Sequence, residues 1–264
     1  MDSEARFRWL GVAGVEFTAE GTTLAIDPFL TRPPPWRFFV GRVRPDQELI
    51  ARTLPRCDHV LVSHSHWDHL MDVPEAARHT GARVYGSPNT CQLSAVCGVP
   101  QEQINEIAAG QNLSLGPFEV EVLETEHIKT PLDRLINGPV APDLRAPLRL
   151  RDFRMDRCFS FRIRIDGAGV LHCPGPAHPA DLLLVGTQAA DQTYRSSLPA
   201  AHPKTIVPIH WDNFLRPLAK PTRELSRPGG RKLGRFVSLV KTLAPDARVF
   251  VPEILRPCTL QELL

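Results

Sequence analysis

The stretch Ser63-His64-Ser65-His66-Trp67-Asp68-His69 places three histidines and one aspartate within six residues. Imidazole and carboxylate donors suit Zn²⁺, Fe or Mn. Residues 59–63, directly before it, are apolar and carry β-branched valines, the pattern of a buried strand. Residues 70–79, directly after it, are helix-compatible, with Pro74 tolerated only in a first turn. The four donors therefore fall in a strand-to-helix loop at the carboxyl end of a strand, the edge where open α/β sheets hold their ligands. In extended backbone His64 and His66 point the same way. Asp68 and His69 then turn around the other side, so one loop can serve two adjacent metal positions. The bland reading, a histidine-rich surface loop, has to produce all four groups by chance.

The chain of 264 residues fits one large domain or two small ones. Apolar residues make up 42% and charged residues 23%, ordinary globular usage that supports a substantial core. A net charge of +2 gives no prior for nucleic acid or membrane. The 26 prolines, many of them clustered, point to stiff ordered loops. No apolar run approaches the ~18 residues of a membrane span. The opening residues MDSEARFRWL lack an apolar export signal, so six cysteines without CxxC spacing are expected to be reduced thiols in the cytoplasm.

Residues 7–10, 15–18 and 22–27 read as three short strands separated by glycine turns. Residues 31–40 form an aromatic and basic loop stiffened by Pro33-Pro34-Pro35. It either walls a pocket or packs Trp36 and Phe39 onto the core. Residues 46–54 read as a helix, 83–86 as a strand, and 89–97 as a helix with Asn89 as its N-cap and Gly98 past its end. A hairpin follows over 112–115 and 118–123, and its second strand runs into His127. Residues 131–156 have little periodicity. Six arginines outnumber four aspartates between positions 133 and 157, which suits either a lid that offers Arg to an anionic substrate or a solvated loop. Residues 158–166 alternate strongly and pair with 170–173; 181–186 and 205–209 are buried strands, the latter delivering His210. Between 216 and 235 seven basic residues stand against Glu224 alone, with no aromatic interleaving. A helix over 233–243 and a strand over 248–252 follow.

The pattern His64-x-His66-x-Asp68-His69 after an apolar strand resembles the signature of the metallo-β-lactamase-fold hydrolase superfamily, a resemblance that runs from about residue 7 to 251 apart from the loops. It implies an α+β fold: a four-layer αββα sandwich of two mixed β-sheets flanked by helices, with metals at one rim, as a single domain over 1–264. It also implies that Asp27 braces the metal loop; from its own neighbours Asp27 reads equally as a turn-initiating residue before Pro28. By the same resemblance His127 joins His64 and His66 in a first site, and His210 joins Asp68 and His69 in a second. Three histidines with an open fourth position are the catalytic zinc pattern.

One turn departs from the family. At Cys173-Pro174-Gly175-Pro176-Ala177-His178 the superfamily carries a Gly-Asp pair whose carboxylate bridges both metals, and this chain has Gly175-Pro176 there. Three readings stay open: His178 swings in as a substitute ligand; Cys173 or His172 does so; or the second metal is weak or missing. The family chemistry implies a metal-bound hydroxide that attacks an ester, lactone, amide or phosphoester, with Asp68 as ligand or proton acceptor. The expectation is a hydrolase with one or two zinc ions (Mn or Fe as options) acting on a small molecule, anionic if the arginine-rich loops serve it. Phosphodiester or RNA cleavage is the alternative activity, although the long inserted domain of RNA-processing members is missing. A non-hydrolytic metal-binding sensor or accessory protein is the other alternative, favoured by the lost bridging Asp. Neither nucleic acid nor membrane is expected as a partner.

Overall fold

The computed structural model describes residues 4–128, 133–172, 178–225 and 231–264. The chain opens with a meander, β1 (Arg6–Gly11), β2 (Gly14–Ala19) and β3 (Thr22–Ile26). Phe7, Trp9, Val15 and Phe17 alternate along the first two strands and are buried, the period-2 pattern of a strand with one face on a core. Then come α1 (Gln47–Thr53), β4 (His59–Leu61), α2 (Trp67–Leu70), α3 (Val73–Thr80), β5 (Arg83–Gly86), α4 (Pro88–Val96) and β6 (Ile104–Glu106). Asp46 caps α1 by accepting the Leu49 N–H at 3.0 Å. The cap of α4 is Ser87 rather than the expected Asn89. Ser87 Oγ accepts the Thr90 N–H and Pro88 takes the first helical position, where its missing donor costs nothing.

The second half repeats the scheme: β7 (Asn112–Leu115), β8 (Phe118–Glu124), α5 (Asp133–Ile136), β9 (Phe159–Ile165), β10 (Ala168–His172), β11 (Leu182–Gly186), α6 (Asp191–Ala201), β12 (Thr205–Ile209), α7 (Leu233–Leu243) and β13 (Arg248–Val249). The chain finishes with β14 (Pro257–Thr259) and α8 (Leu260–Leu263). One sheet has the order β14-β1-β2-β3-β4-β5-β6 and the other β13-β12-β11-β10-β9-β8-β7. In each, three antiparallel pairings are followed by three parallel ones. The two halves are thus structural copies although no sequence repeat is visible. Pro208 sits inside β12 without breaking a ladder bond, because β13 pairs only with Thr205 and Ile206 and ends before reaching it.

Three apolar clusters define the layers. One lies between the sheets and gathers Trp9, Phe17, Phe118, Phe159, Phe161 and Ile163. A second joins the outer face of the first sheet to α1, α3 and α4 through Ile50, Val60, Ala76 and Leu93. The third joins the outer face of the second sheet to α6 and α7 through Leu183, Tyr194, Leu198 and Phe236. This is the expected αββα sandwich. The loop over 31–40 does not pack its aromatics inward: Trp36 is 52% and Phe39 is 89% exposed. The Arg37 guanidinium lies over the Trp36 ring at 4.2 Å instead. No helix among the described residues is long and apolar enough to cross a membrane.

Candidate metal centre

All the candidate ligands in the two groups described below sit just past carboxyl ends of strands, at one rim. His64, His66, Asp68 and His69 follow β4, His127 follows β8 and His210 follows β12. Parallel strands bring these ends together because they all run the same way. The rim gathers two groups of three: His64, His66 and His127, and Asp68, His69 and His210. Within each group the ligand atoms lie within 4.8 Å of one another. In the first, the ring centroids are 4.8, 4.9 and 4.7 Å apart, close to an equilateral triangle. The groups adjoin, since the His64 and His69 rings are 3.8 Å apart.

Hydrogen bonds orient the rings. Asp27, at the end of β3, takes the left-handed conformation (φ 46°) and accepts the Ser63 N–H at 2.7 Å and the Ser63 hydroxyl at 2.5 Å. Its Oδ2 also accepts His69 Nδ1–H at 2.7 Å. Ser63 Oγ has then spent its proton, so at 3.0 Å it can only accept from His64 Nδ1. His64 Nδ1 thus carries its proton and Nε2 keeps the lone pair, whereas the His69 pKa is raised: burial opposes its charge, but Asp27 and Asp68 beside it outweigh that. On His66 the assignment reverses: Nε2 is 3.1 Å from Asn137 Oδ1, which can only accept, so Nδ1 keeps the lone pair. Asn137 has its backbone carbonyl held by the Arg154 guanidinium, with Nε at 3.1 Å. The Arg154 carbonyl in turn accepts from Ser65 Oγ and from Asn89 Nδ2, each at 2.7 Å. Asn137 was not singled out from the sequence, where a lone Asn in an aperiodic loop carries no signal.

The electrostatics suit metal binding. Burial, and then the neighbouring imidazoles, push the His64 pKa well below its ordinary value. Burial pushes down His66, and it takes His127 to about 4. All three are neutral at physiological pH, as ligands must be. His64 Nε2 is buried with no hydrogen-bond partner, a costly arrangement for a ring nitrogen unless an ion takes its lone pair. Asp68 behaves oppositely. Burial opposes its charge, but His69 and a hydrogen bond from His210 hold its carboxyl well below the usual range. Its Oδ2 is 3.4 Å from His210 Nε2 and 3.9 Å from His69 Nε2, three donors facing one point. The residues present therefore fit a metal at both positions.

His210 is held by an unusual backbone arrangement. It sits at φ 55°, and its N–H donates to the carbonyl of Val12, itself at φ 52°, at 2.7 Å. The Val12 N–H donates to Asp212 Oδ1 at 2.9 Å, and Asp212 pairs with Arg32 at 2.7 Å, both side chains being buried. Gly11 (φ 96°) lies against this pair, and a Cβ there would collide with the Arg32 guanidinium. Trp211 packs on Trp9 at 5.3 Å, and Trp67 meets Phe29 and Phe214 edge-on, so each tryptophan beside a ligand is anchored in packing.

Of the candidate substitutes for the bridging carboxylate, the two among the described residues, His178 and His172, do not join these groups. His178 is half-buried and belongs to neither. His172 is fully buried at the end of β10 with Nε2 3.2 Å from the Ala13 carbonyl, and it too belongs to neither. Cys173, Gly175 and Pro176 lie outside the described residues, as do Pro131 and Arg227. In the basic tract after His210, Arg231 pairs with Asp191 and lies 4.8 Å over the Tyr194 ring, a packing role that composition alone did not reveal.

A family model described as a beta-lactamase superfamily domain matches residues 22–202. A UPF0173 metal-dependent hydrolase of Pyrobaculum arsenaticum is 30% identical over 216 residues, which cover 79% of this chain and 85% of that protein. Among solved structures, the metallo hydrolase Igni18 of Ignicoccus hospitalis superposes with a TM-score of 0.64 at 17% identity, over 97% of this chain and 98% of that one. CmlA, a diiron beta-hydroxylase of Streptomyces venezuelae, superposes with a TM-score of 0.61 at 19% identity, over 98% of this chain and 54% of that one. At such identities the structural likenesses show the fold alone.

Proposed function

The chain belongs to the metallo-β-lactamase superfamily as a metal-dependent hydrolase, and from that premise we propose that it cleaves an ester, lactone or related bond of a small molecule with zinc held by His64, His66 and His127. The observation that carries this reading is the triangle of three neutral imidazoles, two buried and His127 half-buried, one of them (His64) with an orphaned Nε2. Three nitrogen donors and an open fourth position suit zinc, while the diiron centre named for CmlA makes iron the competing metal. A metal held there supplies Lewis acidity and brings the pKa of water toward neutrality. Asp68, ionised at neutral pH and facing His69 and His210, accepts the proton released as water attacks or serves as ligand in the second group. Asp27 and Asn137 keep the rings aimed. Among the described residues the cysteines are free thiols, which supports a cytoplasmic setting.

The test is a panel of lactones, aryl esters, thioesters and bis-aryl phosphates assayed with Zn²⁺, Mn²⁺ and Fe²⁺ after metal removal. We expect turnover of an ester or lactone that is lost in His64→Ala and His127→Ala. Turnover confined to the phosphodiesters, or activity that survives those substitutions, overturns the reading.

A further inference from the structure

The loop over 31–40 and the segment over 145–151 meet on one face. The Val43 N–H donates to the Leu148 carbonyl at 2.7 Å. Arg42 Nη1 donates to the carbonyls of Arg145 at 2.9 Å and Pro147 at 2.5 Å. The 3₁₀ turn Pro35–Phe38 packs against a second one, Leu150–Asp152. Between them lies an open cavity of about 270 Å³ lined by Arg37, Phe39, Val40, Gly41, Arg149 and Arg151. No acid is among its lining residues, and none occurs anywhere from Thr31 to Pro45.

Two properties coincide on this face. Phe39 is 89%, Val40 57% and Trp36 52% exposed, three large apolar side chains within five positions. Elsewhere on the described surface the exposed large apolar residues are scattered or terminal, and single ones need no explanation. Beside Phe39 and Val40 in the cavity lining stand Arg37, Arg149 and Arg151. The nearby acids are partly committed: Asp46 caps α1, and Asp152 accepts the Arg149 N–H at 2.7 Å. Apolar tips beside a cavity lined by arginines and no acid are what an interfacial segment offers to an acyl and phosphate boundary.

We infer that this face docks on an anionic phospholipid surface, with Phe39 and Val40 entering the acyl boundary and Arg37, Arg149 and Arg151 taking headgroup phosphates. Charge complementarity selects this occupant. A second copy meeting the face by two-fold symmetry sets the same arginines against each other. A single-stranded nucleic acid stacks on bare ring faces, but the Trp36 face is already covered by Arg37 and Val40 has no ring. Docking of this kind needs no membrane-spanning helix, so it is compatible with the absence of one among the described residues. The inference is independent of the hydrolase reading, because no metal-group residue lines the cavity.

The experiment is cosedimentation of the metal-loaded protein with vesicles of phosphatidylcholine alone, or with roughly one third phosphatidylglycerol, at about 0.1 M ionic strength. Phe39→Ser/Val40→Ser and Arg149→Ala/Arg151→Ala are compared with the natural chain, with metal content as the folding control. Binding is expected only to the anionic vesicles and to fade at high salt. Each double variant is expected to lower it by at least ~10-fold, since one interfacial arginine is worth about fivefold and a buried Phe more. Absent binding, equal binding to neutral vesicles, or a smaller drop in either variant overturns the inference. The same substitutions splitting a dimer in sedimentation velocity, or abolishing a gel shift with poly(U), assign the face to a second copy or to RNA and overturn it as well.

Discussion

His66 shows how one side chain far away in sequence sets a ligand's chemistry. Asn137 Oδ1 accepts from Nε2 and so leaves Nδ1 free to ligate. Asn137→Ala should lower zinc affinity at the first group by about 10–100-fold in calorimetric titration, and Asn137→Asp should restore most of it. Affinity at the Asp68 group should move little, which separates a positioning role from general loss of structure. Arg32 poses a different problem, because its acid partner, Asp212, is fully buried and also accepts the Val12 N–H. Arg32→Ala leaves that carboxylate uncompensated and should cost about 3–5 kcal/mol in chemical denaturation. Val12 is a β-branched residue held in the left-handed region, a conformation tolerated only where surrounding bonds enforce it. Nothing in the residue's own identity announced it.

At the scale of elements, α3 and the loop after β3 are joined by one buried acid. Asp72, just ahead of α3, accepts the Leu30 and Thr31 N–H groups on Oδ2, both at 2.6 Å. Burial outweighs these bonds and pushes its pKa up from 3.8 to about 7. A carboxyl whose folded pKa is raised binds more protons folded than unfolded, so its contribution is fully present below about pH 4 and lost as pH rises through about 7. Asp72→Asn should remove that loss. Its stability relative to the natural chain, read from urea melts, should climb by a few kcal/mol between these limits and then level off. A constant difference would show that the two N–H bonds keep the carboxyl ionised throughout. The elements themselves were mostly legible, because alternation in β8 and β9 and the apolar runs of β11 and β12 are strong signals. What escaped had weak ones. Strand β6 is three half-exposed residues, α6 carries Thr193, Ser196, Ser197 and an internal Pro199, and β14 exists only by pairing with β1 across nearly the whole chain. The metal loop was legible because its four donors fall within six residues of one another. The anchoring partners Asn137, Arg32 and Asp212 are distant in the chain and meet only through the fold.

In the whole molecule, each metal group draws on both sheets. His64 and His66 come from the first sheet and His127 from the second; Asp68 and His69 come from the first and His210 from the second. A bound ion therefore stabilises the sandwich as a unit. At a free zinc concentration roughly 100 times the dissociation constant the gain is about 2.7 kcal/mol, which for a chain of this size raises Tm by about 5–10 °C. Scanning calorimetry with and without chelator checks this, and a Tm indifferent to metal would show that the groups are not filled. The same cross-sheet arrangement bears on kinetics. An ion at either group leaves only when a loop of one sheet draws back from its counterpart on the other, and that is a motion of the rim. Stripping by chelator should then reach a ceiling rate that further chelator does not raise: the protein's own opening, rather than the competitor, sets the clock.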